Sequence, residues 1–121
     1  MPAKKILIVD DDPDMLRTLG IRLKSAKHVP CFASDASTAL SVAQRESPDV
    51  VVLDIGLPGG DGFMVLERLK AIPKLATIPV IVVSGKEPLS IKDELYYSGA
   101  EAYFQKPVSN EDLLSAIDDA A

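Results

Sequence analysis

Three runs in this chain are apolar almost from end to end: Ile6-Leu7-Ile8-Val9, Val50-Val51-Val52-Leu53 and Ile78-Pro79-Val80-Ile81-Val82-Val83. None alternates with polar residues. A strand with one wet face alternates, so strands like these are covered on both faces, as in the middle of a parallel sheet. Val29 to Ala33 and Ala102-Tyr103-Phe104 read as two weaker strands.

Helical periodicity fills the gaps between the runs. Asp12-Pro13 sets a cap and a first-turn proline before Leu16, Leu19 and Leu23, a helix running to about Lys24. Ser34-Asp35 caps a second helix with Ala39, Leu40 and Ala43 inward, ending near Glu46 and broken by Ser47-Pro48-Asp49. Gly62 opens a third, with Phe63, Leu66 and Leu69 inward, stopped before Pro73. Pro88 and Ser90 precede a fourth, with Ile91 and Leu95, closed by Gly99. Ser109-Asn110-Glu111-Asp112 starts a fifth, with Leu113, Leu114 and Ile117 inward. Strands alternating with helices in this way predict an α/β fold, a (βα)5 doubly wound parallel sheet with right-handed crossovers. The last helix ends on Asp118-Asp119, the wrong sign for the negative end of its dipole. A frayed acidic end and a domain excised from a longer chain account for this equally well.

The 121 residues fit one domain, residues 1–121. The net charge of −5 argues against nucleic acid as a direct ligand. One cysteine, Cys31, allows no internal disulfide and fits a reducing compartment. No apolar run approaches the ~20 residues of a membrane span, and the amino-terminal stretch lacks the pattern of a signal peptide. The expectation is a soluble, cytoplasmic protein.

The chemistry gathers where strands end. The first ends in Asp10-Asp11, the third in Asp54, the fourth in Ser84-Gly85 and the fifth in Gln105-Lys106-Pro107. Asp54 leads into a turn rich in Pro58, Gly59, Gly60 and Gly62. Neighbouring parallel strands would bring these ends to one carboxyl edge, where open α/β sheets bind ligands. Three carboxylates there repel one another and require an offsetting cation. Oxygen donors without His or Cys suit Mg²⁺. Lys106 adds an ammonium suited to phosphate, and Ser84 a hydroxyl. The set fits phosphoryl transfer to a carboxylate, with Asp54 as a nucleophile that needs no general base because it is already ionised. Taken alone, Asp54 ending the strand or capping a turn is an equal reading.

Four segments together resemble the receiver domain of two-component response regulators over essentially the whole chain: Ile6–Asp11 (ILIVDD), Val51–Gly62 (VVLDIGLPGGDG), Val80–Gly85 (VIVVSG) and Tyr103–Pro107 (YFQKP). The resemblance implies the flavodoxin-like strand order 2-1-3-4-5. It implies that Asp54 accepts a phosphoryl group from a sensor histidine kinase or a histidine phosphotransfer protein. Asp10, Asp11, Asp54 and the backbone carbonyl of Gly56 would hold Mg²⁺, and Ser84 and Lys106 would contact the phosphoryl group. Tyr103 matches the family's switch aromatic, and the Lys106–Pro107 bond would be cis. The chain would then be a switch that catalyses only its own phosphorylation and dephosphorylation. It would signal to an effector protein or C-terminal output domain through the face built from the fourth helix, fifth strand and fifth helix, roughly Pro88 to Ala121. A phosphorylation-dependent homodimer is among the assemblies the resemblance allows. Ser84 stands where threonine is commoner. Gly56 and Lys86 occupy positions that tune dephosphorylation in the family.

Competing readings are a haloacid-dehalogenase-like phosphatase, from Asp10-Asp11-Asp12, and a phosphate-independent pseudo-receiver. The first leaves Asp54 without a role; the second must ignore a complete set of site residues. A flavodoxin-type cofactor binder is disfavoured, because four aspartates after the first strand would repel its phosphate. Blander roles are expected elsewhere. Asp12, Asp14 and Asp61 serve helix starts, and Cys31 is a small core residue. His28 lies at the surface or a strand edge. Of Tyr96 and Tyr97, one faces in and one out. Met15 and Met64 belong to the core or its rim.

Overall fold

The computed structural model describes residues 3–57, 62–85 and 91–120. The expected turn at 58–60, the Asp61 cap, Lys86 and the lead-in at Pro88 and Ser90 lie outside these residues. The elements run β1 (Lys5–Val9), α1 (Pro13–Ser25), β2 (Val29–Ala33), α2 (Ala36–Glu46), β3 (Val50–Asp54), α3 (Gly62–Ala71), β4 (Val80–Ser84), α4 (Lys92–Ser98), β5 (Ala102–Gln105) and α5 (Asn110–Asp119). The strands form one parallel sheet in the order β2-β1-β3-β4-β5. The three unalternating runs are its three central strands, and β3 and β4 are buried along their whole lengths.

Alternation along these strands sends successive side chains to opposite faces. Leu7, Val9, Val51, Leu53, Val80 and Val82 pack with α2 and α3, through Ala39, Val42, Val65, Leu66 and Leu69. Ile6, Ile8, Val50, Val52, Ile81 and Val83 pack with α1 and α5, through Leu19, Leu23, Leu113 and Ile117. The caps follow the sequence: Asp12, Asp35 and Ser109 accept from the backbone N–H groups of Asp14, Thr38 and Asp112. Gly99 closes α4 in the left-handed region at φ 79°.

The acidic end of α5 is satisfied from the far side of the sequence. Lys4 Nζ donates to the carbonyls of Ile117 at 2.7 Å and Ala120 at 2.9 Å. It supplies the positive charge that the helix's own last turn lacks. The Lys4 backbone N–H donates to His28 Nδ1 at 3.1 Å, so the ring proton belongs on Nε2, which faces Asp118 Oδ1 at 3.5 Å. His28 is therefore a buried residue at the start of the edge strand β2, joining β1, β2 and α5; of the two places expected for it, it takes the strand edge and not the surface, because its ring nitrogens have partners there. Tyr96 and Tyr97 also depart from expectation. Both are about 80% exposed, since the short α4 buries Ile91 just before its first turn and turns both rings outward. Cys31 is half-buried against the α2–α3 face.

Lys4→Met should loosen the last turn of α5 selectively. Amide exchange at 117–120 should accelerate roughly fivefold, corresponding to ~1 kcal/mol. Equal exchange in the two proteins would show that the Lys4 contacts do not hold this end.

Candidate functional site

Strand register builds the site. Val9 lies opposite Leu53, so Asp10, one residue later, draws level with Asp54. Asp54 lies opposite Val83, and Ser84 opposite Gln105, which sets Lys106 just past the sheet edge. The Lys106 N–H continues the ladder, donating to the Ser84 carbonyl at 2.7 Å. The Lys106–Pro107 peptide bond is cis. The side chains of Asp10, Asp54 and Lys106 continue the faces of Ile8, Val52 and Phe104, so all three emerge on the α1/α5 side.

There Lys106 Nζ donates to Asp10 Oδ2 at 2.8 Å and to Asp54 Oδ2 at 3.1 Å. Asp10 and Asp54 are buried, and the ammonium is partly wet. The remaining carboxylate oxygens are held by the backbone: Asp54 Oδ1 accepts from the Gly56 N–H at 2.8 Å and Asp10 Oδ1 from the Asp12 N–H at 3.0 Å. Burial alone would lower the Lys106 ammonium, but its hydrogen bonds to Asp10 and Asp54, and their charges, outweigh this and leave it raised. Carboxylate oxygens of Asp10, Asp11 and Asp54 lie within 4.8 Å of one another, with Asp11 exposed to solvent. Such an all-oxygen, net-negative donor set could hold a hard divalent cation.

Ser84 and Tyr103 point to the opposite, α2/α3 face of the sheet, where Tyr103 packs on the core. The Ser84 side chain acts on the Tyr103 phenol from this side. Burial pushes the Tyr103 phenol up; Ser84 partly offsets this, and the negative charge of Asp54 adds to it. The carboxylates and the aromatic thus meet the same strand ends from two sides.

The family model for the response regulator receiver domain matches residues 6–118. The chain belongs to this family. PilH of Pseudomonas aeruginosa is 36% identical over 113 residues, covering 93% of each chain. The transcriptional regulatory protein KdpE of Mycobacterium tuberculosis is 37% identical over 112 residues, which are 93% of this chain but 48% of KdpE. The chain therefore spans nearly all of one relative and about half of another. The crystal structure of a CheY-like receiver domain protein from Methanospirillum hungatei superposes with a TM-score of 0.89 at 30% identity, covering 98% of this chain and 93% of that one. The fold is the flavodoxin-like arrangement of that family. Among the described residues, no helix is long and apolar enough to cross a membrane.

In this receiver fold, two features near the site had no sequence signal of their own. One is the Gly56 N–H anchoring Asp54; the glycine was conspicuous, but only coordinates give the bond. A Cβ on Gly56 would sit 3.3 Å from Asp54 Oδ1, so any side chain there crowds the carboxylate. The other is the close packing of Gly62 on Ile55, whose Cα would lie 2.2 Å from an added Cβ.

Proposed function

We propose that the chain is a phosphorylation-driven signalling switch in which Asp54 is the phosphoacceptor. One observation carries this reading: a single ammonium, Lys106, bridges the buried carboxylates of Asp10 and Asp54, in a chain of the receiver family. Asp54 Oδ1 is tied to the Gly56 N–H, which leaves Oδ2 as the attacking oxygen. Attack on a phosphohistidine of a sensor kinase or phosphotransfer protein forms the O–P bond of an aspartyl phosphate. The P–N bond breaks, and its electron pair returns to the imidazole. Lys106 then pairs with a phosphoryl oxygen in place of Oδ2, and the Ser84 hydroxyl binds another.

Asp10, Asp11, Asp54 and the Gly56 carbonyl would hold Mg²⁺. The donor set supports it by its oxygen chemistry and by its excess of negative charge. Bound there, the ion neutralises charge on the transferring phosphoryl group.

Withdrawal of Ser84 toward the phosphate would end its action on the Tyr103 phenol. This biases an existing equilibrium in the face formed by α4, β5 and α5. An effector protein, an output domain or a second copy of the phosphorylated chain would read that face. The reading implies one receiver unit working in the cytoplasm beside its kinase.

The decisive test is intact mass after incubation with acetyl phosphate and Mg²⁺. The wild type should gain one phosphoryl group; EDTA or Asp54→Asn should abolish the gain. Saturating Mg²⁺, at a hundred times its Kd, should also stabilise the fold by ~2.7 kcal/mol. Failure to take phosphate from either acetyl phosphate or a phosphorylated kinase would make the chain a phosphate-independent binding module.

A further inference from the structure

The charges of this chain are segregated. Residues 15–34 carry Arg17, Arg22, Lys24 and Lys27 and no carboxylate, while all 18 Asp and Glu residues lie elsewhere. Exposed apolar groups gather in the same stretch. Among the described residues the exposed large hydrophobics are Tyr96 and Tyr97 of α4, and Ile21, Val29 and Phe32 of α1 and β2. The Phe32 ring is set in place: a Cβ on Gly20 would lie 2.8 Å from Phe32 Cζ, so a glycine in mid-helix leaves the notch that the ring fills. Arg17, Gly20, Ile21 and Lys24 share one flank of α1 at helical spacing. Arg17 is paired with Asp14, whereas the ammonium groups of Lys24 and Lys27 have no ion pair or hydrogen bond among the described residues. Lys27 stands at φ 71°, in the left-handed region where glycine is at ease and a lysine is strained. The helix dipole accounts for cations in the last turn of α1. It does not account for apolar side chains left in the open beside them, or for a lysine where glycine would cost less.

This flank is not the one beside the aspartates. Met15, Thr18 and Arg22 line a groove with Val108, and they lie roughly 160° around α1 from Arg17, Ile21 and Lys24. An edge strand can recruit a further strand, but β2 is poorly suited to it. The Val29 N–H donates inward to the Lys4 carbonyl at 2.9 Å, so the next residue, Pro30, faces outward and has no N–H to offer. The occupant that fits is a helix with carboxylates beside an apolar stripe. We propose that the α1–β2 corner docks an acidic amphipathic helix of a partner protein, with its apolar side chains on Ile21 and Phe32 and its carboxylates on Lys24 and Lys27. An anionic bilayer is a poorer fit, because it repels the 18 carboxylates of the rest of the chain. A second copy offers the acidic end of α5, but that helix spends Leu113 and Ile117 on its own core. The recognition chemistry requires neither phosphate nor metal.

The test uses the unphosphorylated protein without Mg²⁺, so its outcome does not depend on the phosphoacceptor reading. The probe is a helical peptide of alanine, leucine and glutamate with blocked ends and its leucines along one face. The same peptide with glutamine for glutamate is the neutral isostere. Each is titrated while amide shifts are followed by NMR. The expected result is saturable shifts at Ile21, Lys24, Lys27 and Phe32 with the acidic peptide alone, weakening as salt is added. Lys24→Gln with Lys27→Gln should weaken binding about tenfold. Lys27→Gly should weaken it too while leaving the melting temperature unchanged or higher, since glycine relieves the left-handed strain; a merely structural lysine would not separate the two readouts. Equal binding of the glutamine peptide, shifts confined to the groove at Met15, Thr18 and Arg22, tighter binding to phosphatidylglycerol vesicles than to the peptide, or the same shifts on concentrating the protein alone would each overturn the proposal.

Discussion

Gly62→Ala should lower the stability of the protein by ~3 kcal/mol. The new methyl carbon would meet Ile55 Cα at 2.2 Å and the Ile55 carbonyl carbon and oxygen at 2.8 Å. These are backbone atoms, which no rotamer change can move aside. The Gly62 N–H also donates to the Ile55 carbonyl at 3.0 Å, so α3 begins pressed against the residue that follows Asp54. Relief must come from moving α3 or the Asp54–Gly56 segment, and the latter would disturb the bond that holds Asp54 Oδ1. Urea midpoints give the measurement, with Gly85→Ala as the control. A Cβ on Gly85 meets nothing within 4 Å, and its cost should stay under ~0.5 kcal/mol. Equal midpoints for the two variants would mean that α3 does not approach Ile55 this closely.

Lys106→Met should destabilise the metal-free protein by roughly 2–3 kcal/mol. This is below the ~3–5 kcal/mol of a fully buried pair because the ammonium is partly wet. The substitution leaves Asp10 and Asp54 buried with no cation between them. Two additions should restore stability: Asp54→Asn in the same chain, which removes one of the repelling charges, and Mg²⁺, which replaces the missing one. A double-mutant cycle that shows no coupling between positions 54 and 106 would contradict the bridge.

The pH dependence carries a definite sign. The Lys106 ammonium is held above its ordinary value of 10.5. Its stabilisation is therefore complete below that value and is lost as pH rises through the raised one. Wild-type stability should fall in this alkaline window more steeply than that of Lys106→Met, measured by thermal unfolding across the range.

Much of this molecule is written locally. Val50–Leu53 and Val80–Val83 lack alternation, so they had to be central strands, and Asp12, Asp35 and Ser109 announce their helices by capping chemistry that depends on neighbours two or three residues away. The sequence also pointed to Asp10, Asp11, Asp54, Ser84 and Lys106 as candidate site residues, because each directly follows or ends a strand whose end meets the same edge, whereas Tyr103 was singled out by the family resemblance alone. Tertiary structure decided what depends on atoms distant in the chain. No local pattern pairs Lys4 with the carbonyls of α5, more than a hundred residues away, and that contact resolves the unfavourable acidic helix end. His28 is buried only because Lys4 and Asp118 arrive to meet its two nitrogens. Tyr96 and Tyr97 both face solvent, because adjacency in the sequence does not fix how much of a short helix its tertiary neighbours cover. Sequence determines strand, helix and reactive group through short-range sterics and hydrogen bonding. Which charges share a cation, and which backbone permits only glycine, are set when distant segments close upon one another.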